Sequence, residues 1–255
     1  VYNLSDLQIV AGYNTPNHSD AGFYAEYVYT DKATPSKQYV TEDGFIFYID
    51  RDVRYLMGYV GTESEITLPT YCNGGAYTIY KYAFYGNTSL TSITIPNSVT
   101  DIGSYAFYNC TRLTEVTIGN GVTSIREHTF YGCKSLTNMT IGNGVRSIGS
   151  YAFYGCSGLT SITIPSSVTV IGSSAFSGCT NLKTVYCDSI NGYTSADSNS
   201  SGSTFLFNNT DTVYVLASII DGGATNYYLN DTTTFDIPST TTNVNGQDYY
   251  VYTRK

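Results

Sequence analysis

A 23-residue period governs this chain. LTSITIPNSVTDIGSYAFYNCTR begins at Leu90, LTEVTIGNGVTSIREHTFYGCKS at Leu113, LTNMTIGNGVRSIGSYAFYGCSG at Leu136 and LTSITIPSSVTVIGSSAFSGCTN at Leu159. The first and fourth copies agree at 17 of 23 positions, which rules out coincidence. A unit this short cannot bury its own apolar side, so it must stack on copies of itself, and the period dictates a solenoid before any strand is assigned.

The apolar columns define the stack: Leu90/113/136/159, Ile93/Val116/Met139/Ile162, Ile95/118/141/164, Val99/122/145/168, Ile102/125/148/171, Phe107/130/153/176 and Cys110/133/156/179. Coils placed at the usual strand spacing of roughly 4.7–4.9 Å set each of these above its equivalent and make one continuous core. Leu-x-x-Ile-x-Ile reads as a short strand with apolar residues inward and polar residues outward, and parallel stacking turns these strands into a sheet. Pro96 and Pro165, or Gly119 and Gly142 in the same column, stop the strand, and Asn120-Gly121 and Asn143-Gly144 mark a tight turn. Val-x-x-Ile-Gly then supplies two more inward residues. Ser-Tyr-Ala-Phe-Tyr-x-Cys returns along the opposite side, a stretch expected to form one helical or 3₁₀ turn.

The pattern L-x-x-I-x-I-P-x-x-V-x-x-I-G-x-x-A-F-x-x-C resembles the BspA-like leucine-rich repeats, the 23-residue class of microbial surface proteins. It is specific over residues 90–181 and extends in degenerate form from about 63 to 215. The resemblance implies a β-rich leucine-rich repeat solenoid, capped at both ends, with its parallel sheet on the concave side. It also implies a protein secreted or exposed on a cell surface and used for adhesion or protein binding, and it carries no catalytic residue over.

Composition narrows the partners. The net charge of −8 argues against nucleic acid, which requires a basic face. Only 13% of the residues are charged; serine, threonine, asparagine, glycine and 27 tyrosines take their place, a usage typical of extracellular β-rich proteins. No run of about 18 apolar residues is present, so no membrane-spanning helix is expected. The chain opens without a basic, apolar leader, and the resemblance favours a mature exported form over a cytoplasmic one.

The ends depart from the repeat. Residues 1–43 form an irregular segment with one expected strand, GFYAEYVYT from Gly22 to Thr30, and residues 44–62 read as a hairpin around Asp50-Arg51-Asp52 that shields the first coil. The solenoid is expected over 63–215, with an insertion at 188–204 rich in serine, glycine, asparagine and aspartate. Its first coil is irregular: Pro69 to Phe84 spans 15 residues where Pro96 to Phe107 spans 11, an insert of four that contains Cys72 and Gly74-Gly75. Residues 216–255 are expected to cap the other end, Val244-Asn245-Gly246 turning into a strand from Asp248 to Thr253.

Four of the six cysteines recur because the unit recurs, so buried thiols are expected in place of disulfides, while Cys72 and Cys187 fall off that column. On the strand face the outward residues are Ser92 and Thr94, Glu115 and Thr117, Asn138 and Thr140, Ser161 and Thr163, then Thr184 and Tyr186, a nearly invariant threonine column beside a varied one. These form one candidate ligand-binding surface; strand propensity explains threonine there equally well. Tyr85, Tyr108, Tyr131 and Tyr154, beside Tyr82, Tyr105 and Tyr151, form an aromatic flank that suits glycan or protein, or simply covers the core edge.

His128 interrupts the second of those rows. The other histidine is His18, and neither has metal-ligand spacing to cysteine or carboxylate. No nucleophile motif, carboxylate pair or phosphate loop stands out, so no enzyme activity, cofactor or metal is expected. The expected function is a non-catalytic extracellular or cell-surface module that binds an extracellular or host protein. The alternative is a glycan-binding domain or structural spacer of a larger surface protein.

Overall fold

A computed structural model describes residues 37–187, 212–216, 235–236 and 240–254. The expected strand at 22–30, the insertion at 188–204 and the segment 217–234 lie outside the described residues. The chain is a β-solenoid built from two strands per coil. In chain order these are β1 (Lys37–Glu42), β2 (Phe45–Asp50), β3 (Val53–Tyr59), β4 (Glu65–Thr67), β5 (Tyr77–Ile79), β6 (Ser92–Ile95), β7 (Val99–Ile102), β8 (Glu115–Ile118) and β9 (Ser124–Ile125). They continue with β10 (Asn138–Thr140), β11 (Ser147–Ile148), β12 (Ser161–Ile164), β13 (Val170–Ile171), β14 (Thr184–Cys187), β15 (Thr212–Leu216), β16 (Phe235–Asp236), β17 (Thr241–Val244) and β18 (Gln247–Arg254).

First strands pair with first strands and second with second, always in parallel and without a register slip between β4, β6, β8 and β10: Glu65, Ser92, Glu115 and Asn138 stand in line. Second strands β5, β7, β9, β11 and β13 form the other sheet, which the antiparallel β1, β2 and β3 extend through the pairing of β3 with β5. At the far end β14 pairs with β15, and β18 runs antiparallel to β15. Antiparallel strands thus join the second-strand sheet at one end and the first-strand sheet at the other. Two of the hairpin turns, Asp43-Gly44 and Asn245-Gly246, have both residues at positive φ, the geometry that matches strand twist, while at Arg51-Asp52, between β2 and β3, only Arg51 does. The four-residue insert of the first coil closes the same way: Asn73 and Gly74 have positive φ, and Cys72 and Gly75 exchange backbone bonds of 3.0 Å.

The core follows the columns. Leu113, Val122, Ile125, Phe130 and Cys133 are wholly buried, as are their equivalents in neighbouring coils. The phenylalanines stack face to face from Phe84 through Phe107, Phe130 and Phe153 to Phe176, at 4.9–5.4 Å between ring centres. All the cysteines of the described residues are buried thiols outside any disulfide. Cys110, Cys133, Cys156 and Cys179 each donate Sγ–H to the carbonyl of the phenylalanine one coil earlier, at 3.0–3.2 Å. Stacking aligns these thiols for carbonyls, and burial pushes the thiols of Cys110 and Cys156 well up in pKa. Cys187 pairs in register with Ile164, so it continues an isoleucine column of the core.

Two features differ from expectation. The return segment holds no helix or 3₁₀ turn among the described residues. Alternate amides divide the work: Ala106, Tyr108 and Cys110 donate three residues back to Gly103, Tyr105 and Phe107, whereas Tyr105, Phe107 and Asn109 donate to Glu127, Thr129 and Tyr131 of the next coil. A helix would spend every amide within its own coil and leave the stack unbonded on this side. The alternation requires positive φ twice per coil, at Tyr82/Tyr105/His128/Tyr151/Ser174 and at Gly86/Asn109/Gly132/Gly155/Gly178. The second difference is a break in the first-strand sheet: β10 pairs with β8 and β12 with β14, and β10 and β12 do not pair with each other. Met139, the methionine in a column otherwise of isoleucine and valine, is only half-buried at that seam, while β11 and β13 pair normally across the same two coils.

Candidate functional site

Outward residues of the first strands make the first candidate surface. Register aligns Ser92, Glu115 and Asn138 in one column with Glu65, and Thr94, Thr117 and Thr140 in another with Thr67. Glu115, Asn138 and Thr140 are exposed, Ser92, Thr94 and Thr117 half-buried, as expected for side chains that stand on a sheet between neighbours. Ser161 and Thr163 are exposed too, but the break between β10 and β12 assigns them to a second block with Thr184 and Tyr186. Tyr186 meets Tyr249 of β18 edge-on at 5.8 Å, so the closing strand packs against the far end of this face. The sequence shows the columns but not the seam, whose one visible sign is methionine at Met139.

The aromatic flank is the second candidate. Tyr85, Tyr108, Tyr131 and Tyr154 form a row of nearly parallel rings 4.7–5.0 Å apart. Tyr82, Tyr105, His128 and Tyr151 form a second row at 4.6–5.2 Å. Tilted contacts of 5.6–5.8 Å link the rows rung by rung, as between His128 and Tyr131. The backbone of the second row is left-handed at every rung, a conformation that costs a bulky residue about 1–2 kcal/mol. Ring stacking, on both faces at Tyr105 and His128 and at about 0.5–1.5 kcal/mol per aromatic pair, offsets that strain. Within each row the rings cover one another's faces and present edges and phenol oxygens to solvent. Burial and the neighbouring tyrosines raise the pKa of Tyr108, so its phenol is uncharged at neutral pH.

His128 substitutes for tyrosine in this stack, and its Nδ1 is buried without a hydrogen-bond partner. Desolvation lowers its pKa, partly opposed by the charge of Glu127. The folded protein therefore binds its proton less readily than the unfolded chain, and acid favours unfolding: stability present above the ordinary histidine value, about 6.5, falls as pH drops through and below it. His128→Tyr should reduce the loss of melting temperature between pH 7.5 and 5.5 relative to the unaltered chain. An identical loss would place the acid-sensitive group elsewhere. One coil-to-coil ion pair stands nearby, Arg126 Nη2 to Asp101 at 2.6 Å, with Arg126 in the column where other coils have glycine.

Residues 77–201 match the family described as BspA type leucine rich repeat region, in six copies. A solved leucine-rich repeat protein of T. pallidum is 33% identical, with a TM-score of 0.52; the match covers 60% of this chain and 70% of that one. The chain belongs to the BspA-type leucine-rich repeat family. Further structural neighbours are a leucine-rich repeat protein of Bacteroides ovatus and a leucine-rich cell surface protein of Faecalibacterium prausnitzii. The first is 27% identical, covers 61% of this chain and 47% of its own, and has a TM-score of 0.47. The second is 30% identical, covers 60% of this chain and 55% of its own, and has a TM-score of 0.32. The chain thus spans about half the length of these two. No curated protein matches it.

Proposed function

We propose that the chain is a non-catalytic binding module, outside the cell or on its surface, that grips a protein partner with the first-strand face. One observation carries this reading. The outward column Glu65, Ser92, Glu115, Asn138 varies in chemistry while the Thr67, Thr94, Thr117, Thr140 column beside it stays constant. A constant column serves the sheet through strand propensity and hydroxyl contacts, so the varied column is where recognition can be encoded. Its two carboxylates, set among neutral hydroxyl and amide groups, suit a partner that presents basic and hydrogen-bonding side chains. Extracellular placement rests on the family and on a surface poor in charge; thiols buried in the core do not conflict with an oxidising compartment.

The test is a screen of the immobilised chain against extracellular proteins, followed by Glu115→Ala with Asn138→Ala on any binder found. We expect affinity to fall about tenfold or more, about 1.4 kcal/mol per tenfold, with an almost unchanged melting temperature because neither side chain enters the core. Unaltered affinity would move recognition off this face. A second reading, glycan recognition by the tyrosine rows, is supported only where the face of a ring is open.

A further inference from the structure

The tyrosine rows stop one coil before the phenylalanine column does among the described residues. Phe176 stacks on Phe153 at 5.2 Å and Cys179 is buried beside it, so the coil that begins at Leu159 is fully packed beneath. On its surface, however, Ser174 stands where Tyr82, Tyr105, His128 and Tyr151 stand in earlier coils, and Ser177 where Tyr85, Tyr108, Tyr131 and Tyr154 stand. The backbone there keeps the geometry of an occupied rung: Ser174 has φ 54°, beside the 55° of His128 and the 58° of Tyr151, and Tyr151 and Gly155 still donate to Ser173 and Ser177 at 3.0 and 2.8 Å. Two rings are missing from an otherwise intact ladder.

That omission uncovers what the ladder hides elsewhere. Tyr108 and Tyr131 each have a ring on both sides, whereas among the described residues Tyr154 stacks on Tyr131 alone and Tyr151 on His128 alone. Tyr151 is accordingly 38% exposed, and the other rings of both rows are half-buried. The two uncovered rings lie 5.8 Å apart and tilted by 54°, a pair of adjoining faces above a floor of Ser173, Ser174, Ser177 and Gly178. The hydroxyls of Ser174 and Ser177 make no hydrogen bond to the protein among the described residues. The floor and the rings contain no carboxylate, ammonium or guanidinium group.

We infer that this step is a carbohydrate subsite, where a neutral pyranose takes the place of the missing rung on Tyr151 and Tyr154. The ligand must match three properties at once. Its one face must be apolar with positively polarised hydrogens, to suit the negative face of a phenol ring. Its rim must carry neutral donors and acceptors for Ser174, Ser177 and the phenol oxygens. It must be flat enough to lie against Tyr154 at the 4.7–5.0 Å ring spacing of the row. A β-glucopyranoside, whose hydroxyls are equatorial, or a β-galactopyranoside, whose one axial hydroxyl leaves the opposite face apolar, meets all three. Acidic sugars do not, since nothing on the step pairs a carboxylate or sulfate. This rests on the glycan-binding reading and is independent of the first-strand face.

The experiment is affinity electrophoresis of the whole chain through gels containing barley β-glucan, β-1,4-galactan or xylan, with polygalacturonate as the acidic comparison. The unaltered chain should be retarded by at least one neutral polysaccharide and not by polygalacturonate. Tyr151→Ala should weaken that retardation about tenfold, and Tyr108→Ala, whose faces are covered, less than twofold. Ser177→Tyr is the decisive variant: it adds the missing ring, should fold at least as stably, and should abolish retardation by covering Tyr154. Glu115→Ala with Asn138→Ala should leave retardation unchanged, so a failed protein screen and a failed subsite are distinguishable. Absence of retardation in every neutral gel overturns the assignment. So does a Ser177→Tyr chain that is retarded as strongly as the original, or a step that binds aromatic-rich peptides in a Ser177-dependent way while ignoring the polysaccharides.

Discussion

Phe130→Ala should destabilise the chain by about 3–5 kcal/mol, the range for removing a buried aromatic ring and leaving its cavity. Phe130 is wholly buried and stacks on Phe107 at 5.2 Å and on Phe153 at 5.4 Å, so the deletion removes two ring contacts from the middle of the column. Neither neighbour can collapse into the gap without breaking register with its own coil. In a stack where each coil touches only the next, a loss at the centre also weakens the coupling between the two halves. Tyr131→Ala, one residue further on, removes a ring that stacks at 4.7 and 4.8 Å but is half-buried, and should cost about 1–2 kcal/mol, mostly in aromatic pairing. Chemical denaturation of both variants measures the difference. Equal losses would mean that the two columns share the burial evenly, contrary to the structure.

The same contrast shows why some of the fold was legible in the sequence. A core column is set by burial alone, and burial of Leu113, Val116, Ile118, Val122, Ile125, Phe130 and Cys133 follows from the repetition of their apolar character at one spacing. The return segment was not legible because tyrosine and serine have no preference for left-handed backbone. Tyr105 adopts it because the next coil's carbonyls accept every second amide, a demand that exists only once coils are stacked. The aromatic rows could be listed from the sequence, and so could their end at Ser174 and Ser177. Which way the rings face could not. Face-to-face stacking removes most of the row as a platform and concentrates the usable surface at Tyr151 and Tyr154, a distinction that depends on ring planes. The seam at Met139 was hidden for a related reason, since β10 and β12 carry ordinary strand residues and only their pairing is lost.

Gly121→Ala should be nearly as damaging as the loss of Phe130, at about 3 kcal/mol or more, the upper end of the overpacking range. Asn-Gly commonly marks a turn that needs positive φ, as it does at Asn245-Gly246. Gly121 is different: its φ is not in the left-handed region, and its role is close approach. A Cβ there would fall on the carbonyl oxygen of Asn97 and 2.7 Å from that of Val99, both backbone atoms of the preceding coil. Backbone cannot swing aside as a side chain can, so the two coils would have to part at this corner. The corner is also where Asn97 Oδ1 accepts the Asn120 amide at 2.7 Å and Asn120 Oδ1 accepts the Asn143 amide at 2.8 Å, a ladder that parting would break. Gly86→Ala supplies the comparison, because Gly86 has φ 65° with nothing near its missing Cβ. It should cost only the left-handed penalty of about 1–2 kcal/mol. If denaturation shows the two alanines equally costly, backbone conformation and not coil-to-coil distance sets the demand for glycine, and the corner is looser than its contacts indicate.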